Sequence, residues 1–126
     1  MARKKKEIDN ATPLIEAIVE GMQEKKGQDI VMLDLREIPN AITDYFVICH
    51  ADNIRQVKAL ADSVEEVAFI KLNEKPWHVE GTNNANWVLL DYVNVVVHVF
   101  NKESRDFYNI ENLWADAKKT EYETVY

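Results

Sequence analysis

Asn86 to Trp114 reads NWVLLDYVNVVVHVFNKESRDFYNIENLW. Two apolar runs of strand character meet at Val93-Asn94 and then pass into an aromatic helical segment. A two-residue turn there sets Tyr92 opposite Val95, Leu90 opposite Val97 and Val88 opposite Val99. Side chains alternate across a strand, so these six share one face, apolar except for one phenol. The other face pairs Asp91 with Val96, Leu89 with His98 and Trp87 with Phe100. It mixes large aromatics with one carboxylate and one imidazole. Such a mixture suits a surface that grips a partner, where aromatics anchor and a few polar groups orient. It equally suits a second buried face beneath helices, with Asp91 and His98 satisfied internally. Both readings stand on this segment alone, and a slip of one residue in register would exchange the faces.

Upstream, Thr12-Pro13 is a helix start, threonine as N-cap and proline in the first turn. Leu14, Ile15, Ile18, Val19 and Met22 follow at helical spacing, and Lys25-Lys26-Gly27 is a stop. Ile30 to Leu35 and Tyr45 to Cys49 are short apolar runs of the kind central strands show. Asp52 or Asn53 can cap a long helix with the inner stripe Ile54, Val57, Leu60, Ala61, Val64, Val67 and Ala68. Pro76 ends it, and Trp77 to Glu80 can be a short strand. After Phe100 the pattern predicts a turn or short helix through Tyr108, then a last helix with Ile110, Leu113, Trp114 and Ala117. Phe107, Tyr108 and Trp114 are expected to pack that helix onto the sheet. The order is an α/β (α+β) domain with a mixed five-stranded sheet and flanking helices. The passage from Tyr45 to Val79 can form a right-handed parallel crossover, and the final hairpin adds an antiparallel part. Residues 12–118 form the domain; residues 1–11 read as a basic solvated tail and 119–126 as a loose C-terminal tail.

The chain has 126 residues, 47% of them hydrophobic, enough for one domain with its own core. A formal net charge of -7 argues against a general nucleic-acid binder, which needs a basic footprint. It favours basic proteins as partners and speeds their encounter at low salt. The single cysteine, Cys49, rules out an internal disulfide framework and fits a reducing, cytoplasmic setting. It lies in an apolar run and reads as a small buried hydrophobe. No apolar stretch approaches the roughly 20 residues that span a bilayer, and Met1 to Lys6 has no apolar signal core behind it.

Constellations for catalysis are thin. Asp34, Asp44 and Asp91 are candidate metal carboxylates, but no Asp-x-Asp pair lies on a strand. A glycine-rich phosphate motif is missing, and His50, His78 and His98 lack zinc-type spacing. The expectation is no cofactor and no metal. Arg105 is expected to tie to a local carboxylate or carbonyl.

Several separated motifs carry a resemblance: Asp44-Tyr45-Phe46-Val47-Ile48-Cys49, Asn53-Ile54-Arg55-Gln56-Val57, Trp87-Val88-Leu89-Leu90-Asp91-Tyr92, Val96-Val97-His98-Val99-Phe100, Arg105-Asp106-Phe107-Tyr108 and Leu113-Trp114. In this order, over about residues 12–118, the chain resembles the ribosomal silencing factor family, the Iojap-like proteins. The resemblance implies a nucleotidyltransferase-like fold without known catalysis. It further implies a bacterial or organellar factor that docks on the large ribosomal subunit through its fourteenth ribosomal protein. There it blocks joining of the small subunit and represses translation under nutrient limitation. On that basis Trp87 and Leu89 are apolar anchors, and Asp91 engages a lysine or arginine. Tyr92 joins at the strand's end, and His98 is available to Asp91's network. A homodimer of the free protein is a further expectation. The alternatives are a nucleotidyltransferase-like enzyme and a generic acidic adaptor. Two departures stand out. Val93 occupies a turn position where relatives commonly have glycine, and His50-Ala51 replaces a common Ser-Gly pair. Alanine lacks glycine's freedom at a tight turn, which weakens a phosphate-loop reading.

Overall fold

The computed structural model describes residues 11–126, so the basic tail read at 1–11 lies, but for Ala11, outside the described residues. Helix α1 spans Ala11–Glu24, followed by strands β1 (Gln28–Asp34) and β2 (Tyr45–Ala51). The long helix α2 (Ile54–Leu72) leads to β3 (His78–Glu80), β4 (Trp87–Asp91) and β5 (Val95–Asn101). Helix α3 (Lys102–Tyr108), the single-turn α4 (Ile110–Leu113) and β6 (Lys118–Tyr122) complete the order.

The sheet has six strands, in the order β3-β4-β5-β2-β1-β6, one more than the sequence predicts. The addition is β6, which pairs antiparallel with β1 from Ile30↔Tyr122 to Asp34↔Lys118. The first half of the segment read as a loose tail is therefore a sheet edge. Its KKTEY sequence hides the strand: charged side chains on an edge discourage pairing with other chains but carry no apolar alternation. Strands β2 and β5 pair in parallel, and the other pairs are antiparallel. The α2 crossover thus joins two strands that point the same way, β2 and β3, with β5 and β4 between them.

The hairpin register is the predicted one, Trp87↔Phe100, Leu89↔His98 and Asp91↔Val96. Val88, Leu90, Tyr92, Val95, Val97 and Val99 accordingly lie in one core with the inner stripes of α1 and α2. The α2 N-cap is Asn53, whose side chain accepts from the Gln56 N–H. Its far end is closed by Asn73 in the left-handed conformation, φ 56°. The two long helices meet closely at Gly21, where an added Cβ would lie 2.8 Å from Val64 Cα. Ser63 Oγ donates to the Gly21 carbonyl at 2.8 Å within that contact. Cys49 is buried, and burial pushes its thiol up to about 12, which leaves it an inert small apolar group.

The opposite face carries a second, smaller core: Val31, Leu33, Leu35, Phe46, Ile48, Val96, Phe100 and Ile110. Its cover comes from α3, α4 and the loop after β1, with Ile38, Ala41, Trp114 and Ala117 packed on it. The two long helices both serve the first face, so this second cover is thin.

Candidate interaction surface

The mixed face of the hairpin divides along its two strands. On β5, Val96, His98 and Phe100 are buried; on β4, Trp87, Leu89 and Asp91 are half-buried. Both readings left open by the sequence are thus partly realised: a covered inner strand and a half-open outer one.

Trp87 organises this face. Its ring stacks on Phe100 with centroids 4.9 Å apart and lies 4.8 Å from Tyr108. Its indole Nε1 donates to His98 Nδ1 at 3.0 Å. Phe46 meets the His98 ring edge-on at 4.5 Å and Trp114 at 5.9 Å. Because Nδ1 accepts, the neutral imidazole carries its proton on Nε2. Burial pushes His98 down to about 3, and Nε2 has no protein partner. Nearby, Gly81 sits at φ 85°, and a Cβ there would collide with the Trp87 carbonyl. Only glycine lets the end of β3 pass so close to the aromatic strand.

Asp91 closes the hairpin. Its Oδ1 accepts the Val93 N–H at 2.7 Å, and its carbonyl accepts the Trp77 N–H at 2.7 Å. Val93 takes φ 80°, the sign that a type II′ hairpin turn requires at its first central residue. Thr43 Oγ1 donates to the Val93 carbonyl at 2.9 Å, so two hydrogen bonds hold this β-branched residue in a strained conformation.

Of the five predicted contact residues, then, Trp87, Leu89 and Asp91 lie together on the half-open strand. Tyr92 does not join them: it points to the first core and is buried, with its hydroxyl unpartnered. The pleat decides this, since a residue one step from Asp91 must face the other way. Burial first, then the nearby charges of Glu65 and Glu74, raises its phenol well above the ordinary tyrosine value, so the group stays neutral. His98 lies beneath the surface and bonds Trp87, outside any Asp91 network.

Phe107 and Tyr108, expected in the core, are exposed, and so is Leu113. Helix α3 has seven residues and buries only Arg105 among them. Two turns are too short for periodicity to show which side faces inward. Arg105 behaves as the sequence suggests. Its Nε and Nη2 grip Glu111 at 2.9 and 3.1 Å, and its Nη1 reaches His50 Nδ1 at 2.9 Å and the Gln28 carbonyl at 3.4 Å.

The candidate catalytic carboxylates are not assembled. Asp34 forms a bidentate pair with Arg36 at 3.0 and 2.8 Å. Two strands, β2 and β5, separate its strand from that of Asp91, roughly 14 Å at the usual strand spacing. Among the described residues no group of three or more His, Cys, Asp or Glu is placed to hold a metal ion. Nor is any described helix long and apolar enough to cross a membrane.

These features define a small α+β domain that presents a half-open aromatic surface. Comparison with known proteins identifies the class further. The family described as "Ribosomal silencing factor during starvation" matches residues 8–126. A "Ribosomal silencing factor RsfS" of Halalkalibacterium halodurans is 40% identical over 112 residues, 89% of this chain and 94% of that protein. The Bacillus subtilis protein of the same name is 38% identical over 111 residues, 86% and 90% of the two chains. A crystal structure of a Chromobacterium violaceum protein superposes with a TM-score of 0.78 at 34% identity, covering 85% of this chain and 88% of that one. The chain belongs to the ribosomal silencing factor family, whose members are ribosome-binding factors and not enzymes.

Proposed function

We propose that the domain docks on the large ribosomal subunit through the half-open strand β4, with Trp87 and Leu89 as apolar anchors and Asp91 facing a cation of the fourteenth ribosomal protein. The bound domain then occupies space that the small subunit needs, and translation falls when nutrients are scarce. Binding energy becomes steric exclusion, and no bond is made or broken. One observation carries this reading: a half-buried Trp-Leu-Asp row on β4 beside the buried strand β5, in a chain of this family. An anchor fully buried at such an interface contributes on the order of 2 kcal/mol or more. The net charge of -7 supports a basic protein as the contact, and the single cysteine, Cys49, fits a reducing, cytoplasmic setting. The nucleotidyltransferase-like architecture implied by the family resemblance serves here only as scaffold. Free protein can pair through the same open strand, and light scattering across a concentration series tests that.

The central experiment is subunit reassociation on a sucrose gradient with the purified protein in saturating excess. Wild type should hold large subunits apart from small ones. Asp91→Arg should abolish co-sedimentation with large subunits at unchanged circular dichroism. Asp91→Asn keeps the acceptor for the Val93 N–H and removes only the charge, so it separates the turn from the contact. Normal reassociation in the presence of wild type would end the blockade reading.

A further inference from the structure

The last helical segment leaves three large apolar side chains uncovered. Phe107 is 80% exposed, Leu113 75% and Tyr108 49%. This exposure is continuous with the mixed face. Phe107 meets Tyr108 edge-on at 5.0 Å, Tyr108 lies 4.8 Å from Trp87, and Trp87 stacks on Phe100. Four rings thus run from the core of the sheet out to solvent. The segment is also held in place. Asn101 caps α3 by accepting the Ser104 N–H, and Asn109 in the left-handed conformation sets the break before α4. The Arg105–Glu111 pair ties the two helices together. Phe107, Tyr108 and Trp87 make one contiguous aromatic patch, with Leu113 exposed on the helix that follows, and such a patch on a firm support marks an interaction surface.

We infer that α3 and α4 form a second lobe of the docking surface, with Phe107 and Leu113 entering an apolar recess on a basic protein of the large ribosomal subunit. The inference rests on the ribosome-binding reading above and adds both residues and the material they touch. A ribosomal surface offers RNA or protein, and charge separates the two. Residues 102–116 hold four acids (Glu103, Asp106, Glu111, Asp116) and two bases, a surplus of two negative charges. Both bases are matched within the segment, Lys102 to Asp106 at 3.3 Å and Arg105 to Glu111 at 2.9 Å. Exposed rings can stack on nucleobases, but single-strand binders set such rings in a cationic groove. Here the surplus charge repels phosphate and attracts lysine and arginine.

Two measurements on the full chain test this. Phe107→Asp should weaken binding to purified large subunits at least tenfold, with the melting temperature and circular dichroism of wild type. Leu113→Asp should act in the same direction, and Phe107→Ala supplies a milder variant should the aspartate disturb the fold. A benzoylphenylalanine photo-crosslinker at position 107 should capture a ribosomal protein. Wild-type binding matched within twofold by Phe107→Asp and Phe107→Ala overturns the second lobe and leaves the proposed function standing. A crosslink to ribosomal RNA, or to a second copy of the chain, overturns the choice of partner. Failure of wild type itself to bind large subunits removes the reading on which both rest.

Discussion

Trp87 donates its indole N–H to His98 Nδ1 across 3.0 Å, and this bond couples the half-open strand to a buried histidine. Folded, His98 is neutral down to about 3, because burial opposes its charged form. Unfolded, it takes up a proton near pH 6.5. Between those values the unfolded chain binds more protons, so stability is complete above about pH 6.5 and declines as the pH falls toward 3. The slope approaches about 1.4 kcal/mol per pH unit for one such group. His50 is also held below its ordinary value, by burial first and then by Arg105, and adds in the same direction. Urea unfolding at a series of pH values between 7 and 4 should show this decline. His98→Gln should have a clearly shallower dependence; an unchanged slope would refute a neutral buried imidazole. Trp87→Phe should cost about 1–3 kcal/mol, the penalty for leaving a buried acceptor without its donor.

The turn at Val93 stores strain that glycine would relieve. A β-branched residue at φ 80° is crowded against its own backbone, at a cost of order 1–2 kcal/mol. Glycine adopts that conformation freely but raises the entropy of the unfolded chain. The balance predicts that Val93→Gly stabilises the domain by about 1 kcal/mol, read as a rise in the urea midpoint at unchanged slope. Val93→Pro should destabilise it, since proline cannot reach positive φ and removes the N–H that Asp91 accepts. A neutral or destabilising glycine would show that the turn relaxes in solution.

Much of the architecture was legible in period and punctuation. The hairpin register, a cap at Asp52 or Asn53 and the α2 stripe from Val57 to Ala68 all follow from local pattern, whereas Ile54, in the first turn of α2, is exposed. The sixth strand was not legible. Lys118–Tyr122 is nearly all exposed and is defined by backbone pairing to β1, which leaves no apolar trace. Of the candidate surface, alternation places Trp87, Leu89 and Asp91 on one face, and the family resemblance is what makes them contacts. Tyr92 was excluded by that same alternation and joined them only through proximity to the turn. Phe107, Tyr108 and Trp114 recur at positions suited to packing the last helix onto the sheet, yet of the three only Trp114 packs on the second core. In a two-turn helix anchored by one arginine, spacing alone does not fix which side faces inward.

Gly21 is a packing requirement between α1 and α2. An added methyl would lie 2.8 Å from Val64 Cα and 3.0 Å from the Ser63 carbonyl, both backbone atoms that cannot swing aside. Relief requires the helices to separate, which loosens the core beneath both. Overpacking of this kind costs about 1–3 kcal/mol, and parting the helices also weakens the Ser63 Oγ–H bond to the Gly21 carbonyl. Gly21→Ala should therefore lose at least about 2 kcal/mol, whereas Ser63→Ala alone should lose about 1 kcal/mol. Denaturant titration of the two single variants and the double variant should show non-additivity, because they share one contact.

Arg105 should prove the main tether between the short helices and the sheet. It is buried, and its guanidinium serves Glu111, His50 and the Gln28 carbonyl together. Lysine keeps the charge but not the planar fork, so Arg105→Lys should cost about 1–2 kcal/mol. Arg105→Gln leaves Glu111 without its cation and should cost more, about 3 kcal/mol, the lower end for breaking a buried pair because Glu111 is only half-buried. Burial alone would raise the Glu111 carboxyl, yet the Arg105 hydrogen bond and charge outweigh it and hold the group below its ordinary value. That stabilisation is present above about pH 4.5 and is lost as the pH falls through the folded value. In Arg105→Gln the carboxyl should titrate at or above the ordinary value, and the His50 ring should titrate upward, released from the neighbouring positive charge. NMR titration of both groups in wild type and Arg105→Gln measures these shifts directly. An unmoved His50 would show that its suppression comes from burial alone.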